Sequence, residues 1–183
     1  MKHILSTLTL VVLLMNIPTI FAAEKKQWWR DANGKTHNYA SLATLAQREV
    51  CLKWRPVGWK IQFYPGKIGY LGMANGDEKK IYIWIRKEFS PKQVAGTIVH
   101  ELAHAYDFLF MTTQLRTEWL KVRGLPTDTP WLPCGGCTDN KSGAGDFAES
   151  VSWTFQGKEG GFKSRLGLPP NAKQQAFIRK LLK

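Results

Sequence analysis

Lys79-Lys80-Ile81-Tyr82-Ile83-Trp84-Ile85-Arg86-Lys87 is followed two residues later by Ser90-Pro91-Lys92-Gln93-Val94-Ala95-Gly96-Thr97-Ile98-Val99-His100-Glu101-Leu102-Ala103-His104-Ala105. In the first stretch Ile81, Ile83 and Ile85 point one way and Tyr82, Trp84 and Arg86 the other, the period-two signature of a strand with one buried face. In the second, Ser90 and Gln93 form a capping box around a proline at the first helical position. Val94, Ile98, Leu102 and Ala105 then recur every three or four residues, so a helix is expected to run to about Phe110. The hydrophobic period changes from two to 3.6 across a ten-residue boundary, which places a strand directly before a long helix.

Working outward, Leu42, Leu45, Ala46 and Glu49 give helical character to residues 39–53. Trp59 to Tyr64 reads as a strand stopped by Pro65-Gly66, and Ile68 to Met73 as another, with a turn at Asn75-Gly76-Asp77. C-terminal to the long helix, a second helix is expected from Gln114 to Val122, ending near Gly124. Residues 125–143 hold three prolines, three glycines and two cysteines, and read as a long loop. A short helix from Asp146 to Phe155, a glycine-rich bend at 157–161 and a last helix from Asn171 to Leu182 complete the chain. The expected fold class is α+β: a small antiparallel sheet, then the long helix and a helical C-terminal half, forming a single domain over residues 23–183.

The 183 residues carry 26 Lys+Arg against 14 Asp+Glu, a net charge of +12, with 44% hydrophobic residues. This composition excludes a coiled coil, a collagen-like chain and a multi-span membrane protein. The positive charge suits contact with an anionic cell-wall or membrane surface; no motif specifies a nucleic acid partner, and a monomer is expected. Residues 1–22 open with Lys2, run apolar from Ile4 to Met15, break at Pro18 and end Ile20-Phe21-Ala22, as a secretory signal peptide does. Cleavage after Ala22 leaves 161 residues, exported to a periplasm or to the extracellular space. Disulfides persist there, so Cys134-Gly135-Gly136-Cys137 reads as a loop staple, with Cys51 buried and free.

His100-Glu101-Leu102-Ala103-His104 carries the chemistry. On a helix, positions i and i+4 lie about 40° apart around the axis and roughly 6 Å along it, so both imidazoles reach one ion from a single face. Zinc accepts neutral histidine nitrogen, and a catalytic site combines three protein ligands with an open position. Glu101, next to the ligands, can take a proton from an attacking water. With four histidines and eight glutamates in the chain, chance supplies this pentad about 0.004 times.

Val99-His100-Glu101-Leu102-Ala103-His104-Ala105 resembles the zinc-binding helix of the zincin metallopeptidases. Asp107 and Phe110 stand where the longer zincin pattern has a glycine and a third histidine, so the third ligand lies elsewhere. Gly143-Ala144-Gly145-Asp146-Phe147-Ala148-Glu149-Ser150 is similar to the second motif helix of gluzincin-type enzymes, including the catalytic domain of anthrax lethal factor. There an acid on the second helix completes the zinc site, and Gly145 occupies the slot of the ligating glutamate. Glu149, one turn away with the longer reach, is the expected third ligand, with Asp146 holding a histidine tautomer; the reverse assignment stays open. The resemblance spans about a third of the chain and is unspecific for substrate.

What the resemblance implies is a metallopeptidase with one zinc ion per chain and a peptide or protein substrate. Glu101 is its catalytic base, and Lys79 to Lys87 is the edge strand that pairs with the substrate. Tyr106, Tyr82 and Arg123 are the candidate oxyanion stabilisers. Three alternatives remain: a cell-wall peptide amidase with the same site, a non-enzymatic basic protein with a structural zinc, and an oxidoreductase at Cys134 and Cys137. A structural zinc has no use for Glu101, and the oxidoreductase would need a thioredoxin-like βαβ order that the chain lacks.

Overall fold

A computed structural model describes residues 29–30, 33–135 and 138–183; the expected signal segment 1–22 and Cys137, half of the expected staple, lie outside them. A two-stranded ribbon of β1 (Trp29–Arg30) and β2 (Thr36–His37) precedes helix α1 (Tyr39–Glu49). Asn38 caps α1 by accepting from the Ser41 amide, and the helix stops four residues before the expected Lys53 because Val50 turns extended.

Strands β3 (Lys60–Pro65), β4 (Gly72–Asn75) and β5 (Lys80–Ile85) form a sheet in the order β3-β5-β4. The chain reverses after β3 and again after β4, so β5 returns parallel to β3, with Ile61 opposite Ile81. On its other side β5 pairs antiparallel with β4, placing Ala74 opposite Ile81 and Gly72 opposite Ile83. The fold is α+β, but the sheet is mixed rather than wholly antiparallel. The expected edge strand is also the central one: β5 spends its backbone hydrogen bonds on two neighbours and cannot accept a third strand. Central placement explains why Ile81, Ile83 and Ile85 are all buried.

Helix α2 (Pro91–Phe110) follows, opened by the expected capping box: Ser90 accepts from the Gln93 amide, and Gln93 accepts from the Ser90 amide. It packs on α1, on the sheet and most extensively on α4 (Gly143–Gln156). Val94, Ile98, Val99 and Leu102 meet Phe147, Ala148 and Val151 in one hydrophobic cluster that also takes in Leu42, Trp119 and Ile178. Each fully buried aliphatic side chain there is worth about 1.5–3 kcal/mol. Helix α3 (Thr113–Arg123) ends at Gly124, and α5 (Ala172–Leu181) closes the chain. Helix α4 begins three residues before the expected Asp146, because the Ser142 hydroxyl accepts from the Gly145 amide. Cys51, expected to be buried, is free and exposed.

Candidate metal centre

Because α2 is covered by α1, the sheet and α4, its polar residues emerge on the remaining face. His100 and His104 stand one turn apart there, their Nε2 atoms 3.1 Å from each other. Each Nε2 lies 3.0 Å from Oδ2 of Asp139, and these three atoms form a group able to hold a metal ion. Asp139 sits in a 3₁₀ turn (Asp139–Lys141) just before α4, and the sequence does not single it out.

The long loop is held so that this turn reaches α2. Asp107 of α2, which is buried, accepts from the Trp131 indole at 3.0 Å and from Arg116 at 3.0 Å. The Gly143 and Ala144 amides donate to the carbonyls of Pro130 and Trp131, joining the loop to the start of α4. The Ser142 amide and hydroxyl both donate to the Asp139 carbonyl. The turn crosses α4 at Gly145, where a Cβ would lie 2.1 Å from the Asp139 carbonyl oxygen. Glycine at 145 thus admits the backbone that brings Asp139 to the histidines.

Glu149 meets His100 at its other ring nitrogen. Its Oε1 is 3.1 Å from His100 Nδ1, and its Oε2 accepts from the Lys163 amide at 2.8 Å. A carboxylate only accepts, so Nδ1 carries a proton, which leaves Nε2 as the nitrogen that would face an ion. Asp146 is fully buried, takes a two-pronged bond from Arg123 at 2.7 and 2.8 Å, and accepts from the Ser164 hydroxyl. The group able to hold an ion thus takes Asp139 as its carboxylate and includes neither the expected third ligand Glu149 nor its alternative Asp146. Glu149 falls short because the imidazole Nδ1 stands between its carboxylate and the convergence point.

The donor set fits a tetrahedral metal. Ligands about 2.0 Å from zinc sit roughly 3.3 Å apart, close to the 3.0–3.1 Å edges here. Without an ion, His100 Nε2 must also carry a proton to bond Asp139, which makes the ring an imidazolium. The field asks for positive charge. Burial would lower the His100 pKa, but hydrogen bonds to Asp139 and Glu149 and the charge of Glu101 hold it well above its ordinary value. Burial would raise Asp139, and the two histidines overcome that and hold it well below the usual carboxylate range.

Glu101 is buried beside the triad. Its carboxyl is raised above the ordinary value, by burial first, while His100, His104 and a hydrogen bond from the Ala74 amide oppose the rise. A buried carboxyl raised in this way suits a group that takes up and releases a proton. Strand β4 makes room for it: a Cβ on Gly72 would lie 2.4–2.7 Å from the Glu101 side chain.

A cleft of about 710 Å³ joins these groups. It is walled by residues 69–74, by α2 from Gly96 to Phe108, by Leu132 and Pro133, and by Asp139, Glu149 and Lys163. None of the expected oxyanion stabilisers lines it. Tyr106 donates to the Leu181 carbonyl across the core, Tyr82 binds Glu78 on the outer sheet face, and Arg123 is held by Asp146. No family model, curated protein or solved structure matches the chain.

Proposed function

We propose that this chain is a zinc-dependent hydrolase of peptide bonds, with His100, His104 and Asp139 holding the ion and Glu101 moving the proton. The carrying observation is the convergence of three metal donors within 3.1 Å of one another in the cleft that also holds a buried, raised-pKa Glu101. Zinc, when bound, supplies Lewis acidity towards the scissile carbonyl and the attacking water.

The chain's own residues do the rest. Glu149 fixes the His100 tautomer, and Asp139 is carried by the loop that Asp107 and Trp131 clamp. Glu101 accepts a proton from water as its oxygen adds to the carbonyl carbon, then passes that proton to the nitrogen as the C–N bond breaks. Strand β4 takes the substrate-pairing place that the sequence suggests for β5. The Trp84 amide donates to the Leu71 carbonyl, which makes 71/84 a hydrogen-bonded pair. By alternation, the amides of Gly72 and Ala74 face away from β5, and the Ala74 amide accordingly meets Glu101. The outer edge of β4 thus offers backbone groups beside Glu101 for an extended peptide.

A non-enzymatic structural zinc gives no reason to bury Glu101 at an open cleft. The test is hydrolysis of an unbiased peptide library by wild-type and Glu101→Gln protein loaded with zinc. Cleavage is expected from the wild type, with a loss of about 10²–10⁴-fold in the variant at unchanged zinc content; equal rates would defeat the assignment.

A further inference from the structure

The cleft has a polarity. Gly72 of β4 lies against Glu101, and a Cβ on Gly76 would touch the Phe108 ring at 3.6 Å, so β4 and α2 run the same way along the site. At the far end stand Phe108 and Leu132, both more than half exposed, with Pro133. At the near end the segment after α4 crosses the first half of α2, where a Cβ on Gly96 would lie 2.6 Å from Gly160 Cα. That segment brings in Lys163, whose amide is fixed on Glu149. Lys163 is the one Lys or Arg among the described cleft residues. Among the described residues, no ion pair ties its side chain to a carboxylate.

We infer that Lys163 is a specificity residue that receives a carboxylate of the substrate on the C-terminal side of the scissile bond. This rests on the hydrolase reading and names the substrate class for it. Two independent features agree. A peptide added to the free edge of β4 in the antiparallel sense, the more stable pairing, sends its C-terminal part towards the α2 N-terminal half and Lys163. The same strand sends its N-terminal part towards Phe108 and Leu132. The charge at one end and the apolar surface at the other then match one orientation of one chain: apolar residues before the cut, a carboxylate after it. The carboxylate has two sources, the peptide's own C-terminus or an acidic side chain.

The test separates them. Zinc-loaded Glu101→Gln protein, expected to cut about 10²–10⁴-fold more slowly than the wild type, is titrated calorimetrically with three peptides: acetyl-Leu-Leu-Ala-Ala as the free acid, the same peptide as the C-terminal amide, and acetyl-Leu-Leu-Ala-Asp amide. One or both of the acidic peptides should bind about three- to tenfold tighter than the neutral amide, and which one gains identifies the source. Adding Lys163→Met should erase that gain and leave the neutral amide's affinity unchanged, while Lys163→Arg should keep it. In the wild-type enzyme Lys163→Met should raise KM for acidic peptides with kcat preserved. Equal binding of all three peptides, or a gain that survives Lys163→Met, overturns the inference. Zinc content and library cleavage by the wild type, measured on the same preparations, report separately on the hydrolase reading.

Discussion

Gly145 and Asp139 occupy one another's space: a Cβ at 145 would come within 2.1 Å of the Asp139 carbonyl oxygen and 2.6 Å of its carbon. These are backbone atoms of a turn held by Ser142, so no rotamer change relieves the overlap. Gly145→Ala should push the turn off α4 and draw Asp139 away from the histidines. Zinc affinity should fall about 10–100-fold, the range for disturbing a ligand's support, as read by competition with a chromophoric chelator. Unchanged affinity would show that Asp139 does not depend on this crossing.

Gly72 plays the corresponding part for Glu101. In Gly72→Ala the new methyl meets Cγ, Cδ and Oε1 of Glu101, and burial leaves that side chain few alternatives. The expected result is a fall in kcat of about 10²-fold, as for a 1 Å misplacement, with zinc content intact. Zinc loss in this variant would mean that Gly72 supports the helix rather than Glu101.

Glu149 acts through His100. Glu149→Ala removes the acceptor on Nδ1 and frees the imidazole to change tautomer, so zinc should bind about 10–100-fold more weakly. Glu149→Gln, whose amide oxygen can still accept the Nδ1 proton, should recover most of that loss. Identical behaviour of the two variants would instead mark Glu149 as a direct ligand.

How far the site can be read from sequence depends on how local each interaction is. The capping box and the i, i+4 histidines need only helix geometry, so α2, His100, Glu101 and His104 are legible directly. The burial of Ile81, Ile83 and Ile85 follows from their alternation, but strand order does not. Period-two patterning says nothing about which neighbour a strand pairs with, and β5 sits centrally because two chain reversals bring it between β3 and β4. Asp139 is 35 residues from His104, in a loop placed by the Asp107–Trp131 bond and the crossing at Gly145, all tertiary. The one sequence signal was Gly145 itself, a glycine in a helix at the slot where the resembling enzymes carry a ligand. Its second meaning, room for another backbone, is visible only once the turn is in place.

Asp146 is a stability residue. Asp146→Asn leaves the Arg123 guanidinium buried without its counter-charge, which costs about 3–5 kcal/mol. In a chain of this size that lowers Tm by roughly 10 °C. Thermal unfolding should show this drop while zinc per chain stays unchanged in the folded protein at low temperature. A variant of normal Tm that had lost zinc would return Asp146 to the metal site.

The most direct test of the account is zinc per chain, by elemental analysis after dialysis against trace-metal-free buffer, for wild type, Asp139→Ala and Glu101→Gln. The geometry predicts about one zinc in the wild type and in Glu101→Gln, and a marked loss in Asp139→Ala, because among the described residues Asp139 alone shares the convergence point with His100 and His104. A wild type that retains no zinc, or an Asp139→Ala protein that retains it as tightly as the wild type, would contradict the assigned centre.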